Sequence, residues 1–152
     1  MKITLVAVGR ARRGPVEELC RDYAGRLPWP VEIVEVEPRK RLQGDALKAH
    51  EAELIAARIP EGAVLVALDE RGKALASQAF AETFRRWRDG GRDAVCFVIG
   101  GADGLAAGLR DRADLVLAFG PQTWPHMLVR AMLLEQVYRA ERILAGHPYH
   151  RE

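Results

Sequence analysis

The chain has 152 residues, 49% of them hydrophobic, and a formal net charge of only +2. That length suits a single domain, residues 1–152, able to bury roughly 68–70% of its unfolded surface, and the small net charge excludes a polycation. No apolar run approaches the roughly 18 residues of a membrane span, and MKITLVAVGRARRG has too short an apolar stretch for a signal peptide, so a cytoplasmic protein without membrane association is expected.

Apolar runs of strand length recur at ITLVAV (3–8), VEIVEV (31–36), AVLVAL (63–68), AVCFVI (94–99) and DLVLAF (114–119), with helical periodicity between them. The first helix starts at Pro15, a residue pre-set for a first turn, carries Val16, Leu19, Cys20 and Tyr23 on one stripe, and stops before Pro28. The second runs from about Asp45 to Ile59. The third begins at Ser77, a good N-cap, buries Phe80, Phe84 and Trp87, and ends at Gly90-Gly91. Strands one, three, four and five are nearly unbroken in apolar residues, the mark of burial on both faces, whereas VEIVEVE alternates like an edge strand. Alternation of strand and helix predicts an α/β fold: a mostly parallel five-stranded sheet with helices on both faces.

Ligands of such sheets sit beyond the strand C-termini. The first loop there, VGRARRGP, has no G-x-G-x-x-G and no Lys-Ser/Thr after its glycines, which disfavours dinucleotide, nucleotide-triphosphate and phosphorylated flavin-type cofactors. Three later loops differ: LDERGK (68–73), IGGADG (99–104) and FGPQTWPH (119–126). Their glycines let main-chain groups approach a ligand closely, a pattern suited to reading a heterocycle by backbone hydrogen bonds, although glycine pairs also punctuate ordinary turns.

Basic residues are 19 Arg against 4 Lys. A GC-rich coding bias explains that imbalance; phosphate recognition by the rigid guanidinium fork is the other reading. Clusters stand at Arg10, Arg12 and Arg13, at Arg39, Lys40 and Arg41, and at Arg85, Arg86, Arg88 and Arg92, the last equally explained by a helix C-terminus. Cys20 and Cys96 are expected as two buried thiols, and no Cys or His pair has zinc spacing, so no metal is expected.

The last helix, from 125 to about 145, is apolar nearly all round through Met127, Leu128, Val129, Ala131, Met132, Leu133 and Leu134. Such a helix is buried on more than one side, and a second copy of the chain in a two-fold homodimer is the economical cover. It leads into HPYHRE, a terminus rich in titratable and aromatic groups where fraying is the norm.

MKITLVAVG, LDERGK, FVIGGADGL, the T-x-P-H of TWPHMLVR, EQVYRA and HPYHRE together resemble the small SPOUT-class RNA methyltransferases, and within them the bacterial family that methylates N3 of a pseudouridine in 23S ribosomal RNA. The resemblance covers essentially the whole chain. It implies a C-terminal trefoil knot, S-adenosylmethionine as cofactor, a knotted-region homodimer, and the ribosome or its 23S rRNA as partner. Leu68, Gly101, Gly120, Pro121, Gln122, Thr123, Trp124 and Pro125 match the family's cofactor-binding positions. Where the family commonly has Ser, this chain has Gly120, and Pro121-Gln122 replaces a small polar or aliphatic pair.

Methyl transfer from a sulfonium needs alignment above all, but N3 of a uracil-type ring must also lose a proton. His150 has the ordinary pKa best suited to a base; Arg151 or Arg130 would stabilise the ring oxygen or hold phosphate; Tyr149 would stack on the base. Asp103 is a further candidate, for the cofactor amine or the pseudouridine N1–H. His126 and His147 read as structural, the second capping a turn before Pro148. The last helix is expected to return the tail to the strand ends. A non-enzymatic ribosome- or RNA-binding protein on the same fold is the competing reading, separated by cofactor binding and by methyl acceptance.

Overall fold

β1 (Lys2–Val8), β2 (Val31–Val36), β3 (Val64–Ala74), β4 (Ala94–Ile99) and β5 (Leu115–Ala118) form one sheet in the order β2-β1-β4-β3-β5, every neighbouring pair parallel. The computed structural model describes residues 1–150, the last by its backbone. The helices are α1 (Pro15–Arg26), α2 (Gly44–Ala56), α3 (Ser77–Asp89), α4 (Ala107–Arg112) and α5 (His126–Leu144), followed by a 3-10 turn at Pro148–His150.

Because successive strand side chains point to opposite faces, the unbroken apolar run of β1 feeds two cores. Ile3, Leu5 and Ala7 join Phe80, Phe84, Phe97 and Leu133 on the face covered by α3 and α5. Val6 and Val8 join Ile55, Val98, Leu105 and Leu109 on the face covered by α2 and α4. Cys20 and Cys96 are buried free thiols, and burial pushes Cys96 up to about 12, which leaves it inert as a nucleophile.

β2 is an edge, as its alternation predicts. β5 is the other edge, although its composition reads like that of the central strands. Its Leu117 and Val116 still meet packing on opposite faces, so an apolar run reports covered faces rather than covered edges. Asp114 holds this short strand in register: the Leu65 N–H donates to its carboxylate at 2.8 Å, and the Asp114 N–H donates to the Leu65 carbonyl at 2.8 Å.

Four local expectations change. α2 stops at Ala56, three residues short of Ile59. Ser77 is the first helical residue of α3 rather than its cap, and its hydroxyl donates to Gln136 of α5 at 2.8 Å. Leu19, assigned to the buried stripe of α1, is 42% exposed, while Cys20 beside it is buried. LDERGK is a bulge within β3 rather than a terminal loop: Leu68 and Lys73 both stand opposite Leu117, so the intervening residues project from the ladder.

Candidate active site

In a parallel sheet every strand C-terminus lies at the same edge. The bulge of β3 and the loops after β4 and β5 meet there around a cleft of about 250 Å3, with Leu68, Gly101, Asp103, Gly120, Thr123 and Trp124 among its walls. Gln122 also lines it. Pro121 and Pro125 belong to the same exposed loop without lining the cleft.

The loops are fastened to one another. Thr123 Oγ1 donates to Glu70 Oε2 at 2.7 Å, joining the β5 loop to the β3 bulge, and Trp124 Nε1–H donates to the Phe119 carbonyl at 3.0 Å. Asp69 accepts from the Arg71 N–H at 2.9 Å and faces Arg110 at 3.5 Å, whose guanidinium also donates to the Leu105 carbonyl at 2.7 Å. The acidic pair of LDERGK is therefore committed to shaping the cleft.

Two glycines have specific reasons. Gly120 takes φ +87°, a left-handed conformation that glycine adopts freely and serine resists. At Gly101 a Cβ would stand 2.6 Å from Glu51 Oε2 and 3.2 Å from Val8 Cγ1, so the loop wall is pressed directly on a buried carboxyl of α2. Glu51 is 5% exposed, its Oε1 has no partner among the described residues, and burial first and Asp103 second push its pKa up. Its place behind the loop was not read from the sequence; a carboxylate in the middle of an amphipathic helix is indistinguishable from a solvated one.

Leu68, Ile99, Leu117 and Val129 give the cleft apolar wall, and Asp103 and Glu70 give it negative charge. A main-chain cradle with apolar sides and carboxylates suits a purine nucleoside bearing a cationic chain, which is the chemistry of S-adenosylmethionine.

Arg130 is not free for phosphate. It is 2% exposed and donates to Glu35 Oε2 at 2.7 Å, to the Val8 carbonyl at 2.9 Å and to the Gly9 carbonyl at 2.7 Å. It ties α5 to the ends of β1 and β2. Arg130→Met is expected to destabilise the fold by about 3 kcal/mol or more, because two carbonyls lose their donor and Glu35 loses its countercharge, keeping the Ala11 N–H; chemical denaturation checks this, and an unchanged midpoint would refute it.

His126, read as structural, lies in the cleft wall. Its Nδ1 is buried without a partner among the described residues, and burial first and Arg130 second push its pKa below the usual imidazole value. The signals in the sequence were its position directly after a strand-end loop and its place as the last residue of the T-x-P-H stretch.

As far as its described residues go, the tail does not close over this cleft within one chain. Gly146 turns the chain at φ +69°, and Tyr149 folds back on α5, its ring 4.7 Å from Tyr138 and 5.1 Å from the Arg139 guanidinium, its hydroxyl 3.3 Å from Glu135 Oε1. Positions 135–138 lie about 14–18 Å along the helix from His126. His147 does cap its turn: Nδ1 accepts from the Tyr149 N–H at 3.2 Å. The His150 side chain and Arg151 lie outside the described residues.

Topology also sorts the arginines. The clusters after β1 and β2 sit on the cleft edge of the sheet and are exposed. The third, on α3 and beyond, lies at the opposite edge, where Arg85 pairs with Glu82 and Arg92 donates to the Gly62 carbonyl. Among the described residues no group of three or more His, Cys, Asp or Glu is placed to hold a metal ion, and no helix is long and apolar enough to cross a membrane.

A family model described as predicted SPOUT methyltransferase matches residues 1–150. The chain is 62% identical to a ribosomal RNA large subunit methyltransferase H from Rhodospirillum centenum and 54% identical to one from Paramagnetospirillum magneticum, with 99% of both chains covered in each case. In fold it is similar to the SpoU methyltransferase AviRb from Streptomyces viridochromogenes, solved with the cofactor AdoMet, at a TM-score of 0.52 and 14% identity over 93% of this chain and 58% of that one. A strand-end cleft framed by glycine loops, in a chain that aligns end to end with such relatives, has one family assignment: this chain belongs to the SPOUT methyltransferases.

Proposed function

We propose that the protein transfers the methyl group of S-adenosylmethionine to N3 of a pseudouridine in 23S ribosomal RNA, acting as a homodimer on the ribosome. What carries this reading is the backbone-lined cleft in a chain 62% identical, over 99% of its length, to a ribosomal RNA large subunit methyltransferase H. Residues 1–152 act as one SPOUT domain, with the C-terminal stretch threaded as a trefoil knot.

When bound, S-adenosylmethionine supplies an electrophilic methyl on a positively charged sulfur. Leu68, Gly101, Gly120, Gln122, Thr123 and Trp124 hold it, with Pro121 and Pro125 stiffening the loop. The remaining chemistry is deprotonation and orientation of the base, assigned to Tyr149, His150 and Arg151. Tyr149 stands well away from its own cleft, so the tail serves the cleft of the second subunit. A homodimer also covers the hollow of about 510 Å3 between α1, α3 and α5, where Leu19, Leu128 and Met132 lie. The exposed Arg10, Arg12, Arg39 and Arg41 hold RNA phosphates at the cleft edge.

The test is transfer of labelled methyl from S-adenosylmethionine to ribosomes lacking the modification, beside free rRNA, with mapping of the modified base. Label on one pseudouridine of assembled ribosomes is expected. Absence of both cofactor binding and transfer overturns the reading in favour of a non-enzymatic RNA-binding protein.

A further inference from the structure

Two buried polar atoms without partners among the described residues lie one helical turn apart on the same side of α5: His126 Nδ1 and Arg130 Nε. Arg130 Nε is always a donor. The two do not bond to each other, but both side chains face Gly9, so a proton on His126 Nδ1 would set a second buried donor beside the guanidinium, whereas the guanidinium's positive charge favours a lone pair there. That assigns the ring proton of neutral His126 to Nε2, the nitrogen left for the cleft.

The ring's surroundings keep it neutral. Arg130 faces it from α5, with Glu35 of β2 held by Arg130; Asp103 and Glu70 share the cleft wall. Burial and Arg130 disfavour the imidazolium, as does the positive end of α5, on whose first residue His126 stands. His126 Cε1 lies 3.6 Å from where Gly9 would carry a Cβ, so the ring is also confined between the β1 loop and the cleft.

We propose that His126 is a catalytic residue that donates its Nε2–H to a carbonyl oxygen flanking N3 of the target base, and that it is not the base that removes the N3 proton. This rests on the methyltransferase reading above. The N3 proton passes to a separate base, and the electron pair it leaves is shared with the adjacent carbonyl oxygens. That pair forms the new nitrogen–methyl bond as the methyl–sulfur bond breaks with its pair to sulfur. Negative charge on the carbonyl oxygen peaks just before attack, and a fixed, neutral N–H donor stabilises it there. A neutral imidazole N–H is a far weaker acid than an imidazolium, so it donates to the developing oxyanion without giving up its proton.

The decisive series is His126→Gln, His126→Asn and His126→Ala. Glutamine keeps an N–H donor near the Nε2 position; asparagine places one near Nδ1. In single-turnover transfer to ribosomes, alanine and asparagine are expected to lower the rate about 10²–10³-fold, and glutamine to stay within about tenfold of the wild type with the acid limb of the pH profile retained. Cofactor affinity by calorimetry should not move. Nitrogen-15 imidazole spectra of the wild-type protein should show the neutral Nε2–H tautomer without any substrate. Loss in glutamine equal to that in alanine, with the acid limb gone, makes His126 the base and overturns the proposal. So does an affinity loss at unchanged rate, or an Nδ1–H tautomer. A wild-type protein that transfers no methyl sinks the function itself, a different outcome from an active wild type with an equally active alanine variant.

Discussion

Deleting residues 147–152 is expected to abolish methyl transfer to ribosomes, by about 10³-fold or more, while S-adenosylmethionine affinity stays unchanged. The cleft is walled by residues between Leu68 and Val129, so cofactor binding has no need of the tail. The truncation removes the edge-to-face Tyr138–Tyr149 contact and the Tyr149–Glu135 hydrogen bond, a stability cost of about 1 kcal/mol. Calorimetry checks the affinity and denaturation the stability, and full transfer by the truncated protein takes the tail out of the mechanism. A mixed dimer separates service within a subunit from service across the pair. A truncated subunit with an intact cleft, joined to a subunit with an intact tail and a Gly101→Val cleft, regains activity only when the tail crosses to its partner. Both parent homodimers are inactive, so any transfer by the mixture is diagnostic.

Gly101→Val is itself expected to weaken cofactor binding by about 100-fold or more, which is about 2.7 kcal/mol. The first added carbon already lies 2.6 Å from Glu51 Oε2, and Glu51 is buried with a carboxyl that burial holds above the usual carboxylate range. Nor is Val8 free to yield, since it is packed in the core shared with Ile55 and Val98. The loop must therefore move toward the cleft. Gly101→Ala should show a smaller loss, and Glu51→Ala in the same chain should restore part of it, because the clash is with that side chain. An unchanged affinity in Gly101→Val would remove the loop from the pocket. Equal losses with and without Glu51 would locate the obstruction elsewhere.

The glycine loops were legible in the sequence as a group, because three of them follow successive strands in the C-terminal half, whereas any one alone reads equally well as a turn. What the loops touch was not. Glu51 and Gly101 are fifty residues apart, and nothing in the helical pattern around Glu51 separates a carboxylate facing water from one facing a strand end. Arg130 misled in the opposite direction. Its guanidinium reads as a phosphate ligand, yet it is spent on carbonyls at the other end of the chain, Val8 and Gly9.

By itself the sequence determined the five strands, the first and third helices almost to the residue, the two-faced burial of β1 and β4, and the edge position of β2, since each follows from local periodicity and the turn residues that interrupt it. Tertiary structure alone decided that β4 sits between β1 and β3, that β5 is an edge, that 69–72 bulge from a continuous strand, that His126 joins the cleft, and that Tyr149 folds back on α5 rather than toward it. These depend on pairings across tens to more than a hundred residues. The alternation of side chains specifies which face of a strand is covered, but the neighbour that covers it is chosen by the packing of the whole chain.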